Sequence, residues 1–225
     1  MPKTRSELTK KLQALEEKAQ RGEDKAIAKQ HAEGKLTARE RIEKLLDGGT
    51  FVEEFMLAET PSVDFGMAER KQPTDGVITG YGKIDGRTVY VFAQDFTVIA
   101  GTVGAAHAEK IAYCIETARK VGVPVIGLYD SAGARIQEGL DVTRAIGKIF
   151  FQNSITSGTV PQISAIMGPC IGVAAYSVQE AADMLGVNYF SVYRLIQRGK
   201  LRVCRALRGK LLVPRTELLK LLKTE

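Results

Sequence analysis

The chain has 225 residues, of which 44% are hydrophobic and 26% are charged, as in ordinary soluble globular proteins of one or two domains. It contains no apolar run near the ~20 residues that cross a bilayer, and its charged N-terminus has no secretion-signal core, so we expect a cytoplasmic protein with no membrane partner. Three widely spaced cysteines and two histidines disfavour both a disulfide framework and a metal site.

Charge and glycine are unevenly distributed along the chain. The whole net charge of +6 lies in residues 178–225, whereas nearly all glycines lie before Ser177. A break in two independent properties favours a domain boundary. We therefore divide the chain into residues 1–176 and residues 177–225.

The first part of the chain is predicted to be helical. Residues 4–33 form a polar helix with a narrow leucine stripe, which we interpret as a solvated arm. A second helix follows, in which Thr37 is the N-cap and Glu40 completes a capping box.

From residue 74 onward, strand and helix patterns alternate. A hairpin with an Asp85-Gly86 turn is followed by a helix, a buried strand, a glycine turn, another helix, and a second buried strand with its own glycine turn. The first helix covers residues 101–122, the first strand 123–130, the glycine turn with the second helix 131–158, the second strand 160–168 and its turn 169–177. This order predicts an α/β layer.

The two glycine turns, "YDSAGARIQEG" and "MGPCIGVAAYS", are the best candidates for a functional site. Small residues between a strand and the start of a helix leave backbone N–H groups free at the positive end of the helix dipole. Two such N–H groups that point at one position form an oxyanion hole, which can stabilise the enolate formed from a thioester. Tight strand–helix packing is the alternative explanation for the glycines.

Residues ~20–177 resemble the N-terminal half of the carboxyltransferase (β) subunit of biotin-dependent acyl-CoA carboxylases, of the propionyl-CoA carboxylase and methylmalonyl-CoA decarboxylase type. The matching stretches are "GKLTARERIEKLLDGGTFVE", "DGVITGYGKIDGRTVYVFAQDFTVIAGTVGAAHAEKI", "DSAGARIQEG" and "IMGPCIGVAAYS". The resemblance implies a crotonase-like fold of repeated ββα units, truncated here, with acyl-CoA as substrate against the glycine turns.

Carried over by position, the resemblance assigns oxyanion-type backbone amides to Gly133 and Ala134 in one turn and to Gly172 and Val173 in the other. The family usually has a second glycine at position 173, so the valine side chain crowds the approach. Three neighbouring residues are interpreted as orienting the first turn: Arg135, Gln137 and Glu138. His107 is interpreted as structural, and no cofactor-binding residue is assigned.

The resemblance also implies partners. In the family, a second crotonase-like domain holds biotin, which is attached to a carrier protein and is carboxylated by a biotin carboxylase. Since the matching stretch ends near Ser177, inside the first domain, we expect this chain alone to bind acyl-CoA at most and to transfer no carboxylate. Biotin, other carboxyltransferase subunits, the carrier and the carboxylase are partners only if the remaining half is supplied.

Residues 177–225 have a pattern of their own. Two short helices separated by Gly186, a two-stranded basic hairpin around Arg208-Gly209, and a helix after Pro214 predict a small winged helix-turn-helix domain. This segment resembles the excisionase-type, MerR-like DNA-binding domain, which implies DNA as a partner. Base contacts are expected from the early second helix: Asn188, Tyr189, Ser191 and Arg194. Phosphate or groove contacts are expected from six basic residues: Arg198, Lys200, Arg202, Arg205, Arg208 and Lys210.

Three functions therefore remain open. The chain is an acyl-CoA-binding carboxyltransferase piece, a DNA-binding protein in which that piece is a passenger, or a chimeric reading frame without an integrated function. The Tyr176-Ser177 dipeptide suits both families, and a join at such a shared dipeptide, without a flexible linker, is what a recombined or rearranged reading frame would leave.

Overall fold

The computed structural model describes residues 5–172, 204–207 and 210–212. The α-helices in this part of the chain are α1 (Arg5–Arg21), α2 (Asp24–Ala32), α3 (Ala38–Leu45), α4 (Ala105–Val121) and α5 (Gly139–Thr156). The strands are β1 (Val52–Glu54), β2 (Val77–Ile84), β3 (Arg87–Gln94), β4 (Val125–Ser131), β5 (Gln162–Cys170), β6 (Cys204–Leu207) and β7 (Lys210–Leu212).

Five strands form one mixed sheet in the order β1-β2-β3-β4-β5. The pairs β1–β2 and β2–β3 are antiparallel, and β3–β4 and β4–β5 are parallel. Helix α4 connects β3 to β4 and α5 connects β4 to β5, so the predicted α/β alternation is confirmed. The ends of β4 and β5 consequently lie at the same edge of the sheet.

Two apolar cores cover the two faces of the sheet. Tyr90 and Phe92 of β3 pack in the core that α4 and α5 share, while Val89 and Val91 pack in the core that contains α3. Strands β3 and β4 are buried on both faces, which explains their continuous apolar sequence. Strand β5 was also predicted to be buried, but this expectation was wrong: its residues are largely half-buried, because β5 has β4 on one side and no partner strand among the described residues on the other.

The local signals near the N-terminus are confirmed. Thr37 Oγ1 accepts from the Glu40 amide at 3.3 Å, and the Glu40 carboxylate accepts from the Thr37 amide at 2.7 Å, so the capping box is complete. Asp85 and Gly86 both have positive φ in the tight β2–β3 turn. The predicted polar helix consists of two helices, because Gly22 adopts a φ of +67° between them.

Strands β6 and β7 pair antiparallel around positions 208 and 209, as predicted for the basic hairpin. The other elements predicted within residues 177–225 lie outside the described residues. Among the helices that the structure describes, none combines the length and the apolar character that a membrane span requires.

Candidate functional site

The ends of β4 and β5 bring the two glycine turns together. Ser131 of β4 pairs with Cys170 of β5, and the chain continues from each into its turn. A Cβ on Gly133 would lie 3.1 Å from the carbonyl oxygen of Ile171. The two turns therefore lie side by side at this edge of the sheet. Gly172 has a φ of +60° with open space at its Cβ position, and Val173 lies outside the described residues.

The backbone amides of the first turn are not equivalent. The Gly133 N–H donates to Ser131 Oγ at 3.1 Å, so it already has an acceptor. A parallel bridge joins Ala134 to Val103 through the Val103 N–H, which donates to the Gly133 carbonyl, and the Arg135 N–H, which donates to the Val103 carbonyl. This pattern turns the Ala134 N–H away from Val103, and that N–H has no acceptor among the described residues. Ala134 is therefore the better candidate for an oxyanion donor.

The helix-dipole part of the prediction was wrong for this turn. A 3₁₀ turn at Ile136–Glu138 follows Arg135, and α5 begins only at Gly139. Because the field of a helix terminus falls off within one turn, the Ala134 amide gains little from the α5 dipole. Its availability comes instead from the bridge to Val103.

Hydrogen bonds from the Arg135 side chain connect this turn to two neighbouring loops. Its side chain is fully buried, and all five guanidinium N–H groups have acceptors. Nη1 donates to Asp75 Oδ1 at 2.5 Å and to Glu138 Oε1 at 2.8 Å. Nη2 donates to the carbonyls of Thr102 and Asp75, and Nε donates to Thr102 Oγ1. Arg135, the residue directly after Ala134, is thus held by the loop that contains Asp75 and by the loop that contains Thr102.

The two carboxylates that hold Arg135 also cap α4. Glu138 Oε2 accepts from the Ala105 N–H at 2.7 Å, and Asp75 Oδ2 accepts from the His107 N–H at 2.9 Å. Carboxylates are stabilised at a helix N-terminus by its free N–H groups and its dipole. Glu138 also accepts from Thr60 Oγ1 at 2.7 Å. The network therefore connects the turn, the start of α4 and the segment before β2.

Burial shifts the pKa values in this network. Burial raises the pKa of Asp75, and the Arg135 guanidinium partly offsets this effect. Burial, and then the charges of Arg135 and Lys110, hold the pKa of His107 well below its usual range, so the imidazole is neutral. Because His107 Nδ1 lies 3.0 Å from the Asp75 carbonyl, Nδ1 carries the proton, and Nε2 accepts from Gln94 Nε2 at 3.2 Å. These contacts favour the structural interpretation of His107.

Of the three residues interpreted as orienting the turn, the structure brings Arg135 and Glu138 into this network, and Gln137 lies outside it, half-buried. Sequence reasoning missed Asp75, which is 60 positions from its partner Arg135. The only local signal was an aspartate in "PTDG" directly before a buried strand, and nothing in that pattern identifies a distant arginine.

Most of the DNA-contact candidates lie outside the described residues: Asn188, Tyr189, Ser191, Arg194, Arg198, Lys200, Arg202 and Arg208. Arg205 lies on β6 and Lys210 is the first residue of β7. Within the described ranges, no group of three or more His, Cys, Asp or Glu residues could hold a metal ion.

The mixed sheet, its flanking helices and the paired strand-end turns define a crotonase-like carboxyltransferase domain. Two comparisons with solved structures establish this class. The structure of transcarboxylase 12S, which contains methylmalonyl-coenzyme A, superimposes on this chain with a TM-score of 0.76 and 41% sequence identity. The match covers 80% of this chain and 36% of that chain. The second is with the malonate decarboxylase hetero-tetramer of Pseudomonas, which superimposes with a TM-score of 0.59 and 26% identity over 64% of this chain and 56% of that chain.

Sequence comparisons assign the chain to a family. Residues 29–191 match the carboxyl transferase domain, and the chain belongs to that family. The chain is 53% identical over 172 residues to methylmalonyl-CoA decarboxylase subunit alpha of Propionigenium modestum, a match that covers 75% of this chain and 33% of that protein. It is 55% identical over 158 residues to the mitochondrial propionyl-CoA carboxylase beta chain of Homo sapiens, covering 69% of this chain and 29% of that one.

The chain thus spans about a third of the length of these relatives. Its C-terminal part matches a second family, since residues 175–225 match a helix-turn-helix domain. The two family matches overlap at residues 175–191, which include the Tyr176-Ser177 join.

Proposed function

We propose that residues 1–176 bind the thioester of a short acyl-CoA, of the propionyl-CoA or methylmalonyl-CoA type, at the paired turns after β4 and β5. The observation that carries this proposal is the Ala134 amide, which has no acceptor among the described residues and lies beside the close approach of Gly133 to Ile171. A thioester carbonyl that gains negative charge needs such a donor in a fixed position. The acyl-CoA type follows from the similarity to methylmalonyl-CoA decarboxylase and propionyl-CoA carboxylase subunits.

A binding experiment tests this assignment. Calorimetric titration with propionyl-CoA should give saturable heat, and free coenzyme A, which lacks the thioester carbonyl, should bind at least tenfold more weakly. Ala134→Pro removes the amide donor without adding a charge, and we expect it to bring propionyl-CoA affinity down to that of free coenzyme A. Equal affinity of the wild-type chain for the two ligands would reject the assignment.

Carboxyl transfer, in this proposal, requires surfaces beyond the described domain. Carboxylated biotin on a carrier protein would supply the carboxylate, as the family resemblance implies, and we assign no described residue to biotin. Purified chain mixed with propionyl-CoA and carboxybiotin should therefore form no methylmalonyl-CoA. Product formation by the chain alone would contradict this part of the proposal.

An exposed apolar rim beside the candidate site supports assembly with further carboxyltransferase segments. We define the rim as four residues on or beside two 3₁₀ turns that contact each other, Asp64–Gly66 and Ile136–Glu138: Val63, Phe65, Ile136 and Leu140. Phe65 and Ile136 are each 80% exposed and Leu140 is 87% exposed. Exposed apolar patches of this kind mark interaction sites.

A matched pair of substitutions tests this rim. A polypeptide with the C-terminal two thirds of the Propionigenium modestum relative should sediment together with this chain. Leu140→Lys should abolish the complex, whereas Val121→Lys, at an exposed apolar position on α4, should leave it intact. Failure of the wild-type chain to associate would reject the assembly proposal.

DNA binding by residues 177–225 is a second candidate function. The helix-turn-helix match and the local charge of +6 favour it. The full chain should shift a DNA duplex with an affinity that falls steeply as salt rises, because each phosphate contact releases counterions. Arg194→Ala should weaken specific binding, and binding that salt does not affect would count against this function.

A further inference from the structure

We propose that Asp130, held by Arg41, is a positioning residue that sets the offset between the two strand-end turns. Asp130 lies in β4 directly before the first turn and is fully buried. The functional meaning of this offset rests on the proposed acyl-CoA site, but the positioning itself is a structural property of the chain.

The offset arises from a bulge in β5. Tyr129 pairs with Ile166 and Ser131 pairs with Cys170, so the single residue Asp130 faces the three residues 167–169. Extra residues in one strand bend it and change the direction of the segment that follows. In β5 that segment is Ile171 and Gly172, the second turn.

The Asp130 side chain fills the space that this bulge creates. A Cβ on Gly168 would overlap the Asp130 carboxylate, so the glycine leaves room for it. The Asp130 carbonyl occupies the corresponding space beside Gly101, in the loop before α4. Asp130 Oδ1 has no hydrogen-bond partner among the described residues, so packing against the bulge is its main contact.

The position of the carboxylate is set by the N-terminal helices. Oδ2 accepts from Arg41 Nη2 of α3 at 2.7 Å and from Gln30 Nε2 of α2 at 3.4 Å. Arg41 and Gln30 are themselves buried. Since a buried charge is costly without its partner, this pair has a strong preference for one geometry. The predicted solvated arm, residues 4–33, therefore has a second role, because its helix α2 joins the neighbouring helix α3 in holding the strand end that precedes the site.

Two variants separate this geometric role from simple anchoring. Asp130→Glu keeps the charge available to Arg41 but pushes the carboxylate one methylene further toward Gly168. Arg41→Lys keeps a positive charge but replaces the planar guanidinium, whose Nη2 bonds Asp130, with a flexible ammonium group. The matched control is Arg39→Lys, also on α3, whose side chain donates to Glu53 of β1 at 2.6 Å and contacts neither turn.

Amide hydrogen exchange is the primary measurement, because it needs no ligand. The Ala132 N–H donates to the Ala100 carbonyl and the Val103 N–H to the Gly133 carbonyl, so both report on the first turn. Relative to the core amide of Val91, these two should exchange about tenfold faster in Asp130→Glu and Arg41→Lys, and at wild-type rates in Arg39→Lys. Propionyl-CoA affinity should fall about tenfold in the first two variants and stay unchanged in the control.

The outcomes distinguish this proposal from the acyl-CoA site itself. Unchanged turn exchange in Asp130→Glu, or an equal increase in Arg39→Lys, would overturn the positioning role. If the turn amides respond as expected but the wild-type chain binds no propionyl-CoA, the positioning role stands and the proposed acyl-CoA function fails.

Discussion

A Cβ on Gly133 would lie 3.1 Å from the carbonyl oxygen of Ile171, so the turns after two neighbouring parallel strands lie close together. The φ of Gly133 is +101°, a backbone conformation that side-chain-bearing residues rarely adopt. Backbone conformation and spacing therefore both require glycine at this position.

Gly133→Ala should destabilise the fold and separate the turns. Gly158→Ala is the matched control, because Gly158 also has a positive φ but has open space at its Cβ position. We expect the control to cost about 1–2 kcal/mol from backbone strain and Gly133→Ala to cost at least about 1 kcal/mol more from crowding. Urea unfolding of both variants measures the difference, and equal losses would show that the contact with Ile171 is unimportant.

Arg135→Lys should be strongly destabilising, because lysine cannot satisfy the acceptors that five guanidinium N–H groups now bond. Breaking a buried ion network of this kind costs about 3–5 kcal/mol. Arg144→Lys, at an exposed position of α5, should change the free energy of unfolding by less than about 0.5 kcal/mol. Thermal unfolding of the two variants provides the comparison. Similar melting temperatures would contradict the assigned role of Arg135.

Gly104→Ala should also disturb this network. A Cβ on Gly104 would lie within 2.8 Å of Arg135 Cζ and 2.6 Å of Glu138 Oε1, so the buried pair would have to move. We expect a loss of about 1–3 kcal/mol. Gly147→Ala lies in α5 with open space around it and should instead stabilise the chain by about 0.5–1 kcal/mol. Changes of the same sign in the two variants would be inconsistent with this packing.

His107 should contribute stability to the folded chain that is lost in mild acid. The folded pKa lies well below 6.5, so below pH 6.5 the unfolded state takes up a proton that the folded state does not. The contribution of His107 is fully present above pH 6.5 and declines as the pH falls, with a slope of up to about 1.4 kcal/mol per pH unit. His107→Asn keeps a donor for the Asp75 carbonyl and should remove this slope. Urea midpoints measured between pH 7 and pH 5 give the test, and an unchanged slope in the variant would assign the effect to other groups.

Local sequence signals were reliable where short-range physics decides the structure. The Thr37–Glu40 capping box and the Asp85-Gly86 turn depend on residues within one turn of each other, and both occur as predicted. Strand β4 was also predicted correctly, because a short continuous apolar run is typical of a strand that is buried on both faces.

Features that depend on residues distant in the sequence were predicted wrongly or were not predicted at all. The dipole argument for the first turn failed because a 3₁₀ turn at Ile136–Glu138 separates Ala134 from the start of α5 at Gly139. The ion pairs of Arg135 with Asp75 and of Asp130 with Arg41 could not be predicted, because the paired residues lie 60 and 89 positions apart along the chain. No periodicity or spacing in a single sequence carries that information.

The sequence by itself therefore determined the alternation of strands and helices, the family of residues 29–191 and the match of residues 175–225 to a helix-turn-helix domain. Only the tertiary structure decided which backbone amide is available, which charges are buried together and how the two turns are offset. The physical reason is that hydrophobic periodicity and capping act over a few residues, whereas the parallel strands β4 and β5 join segments about 40 residues apart, and the contacts at their ends exist only once the sheet has formed.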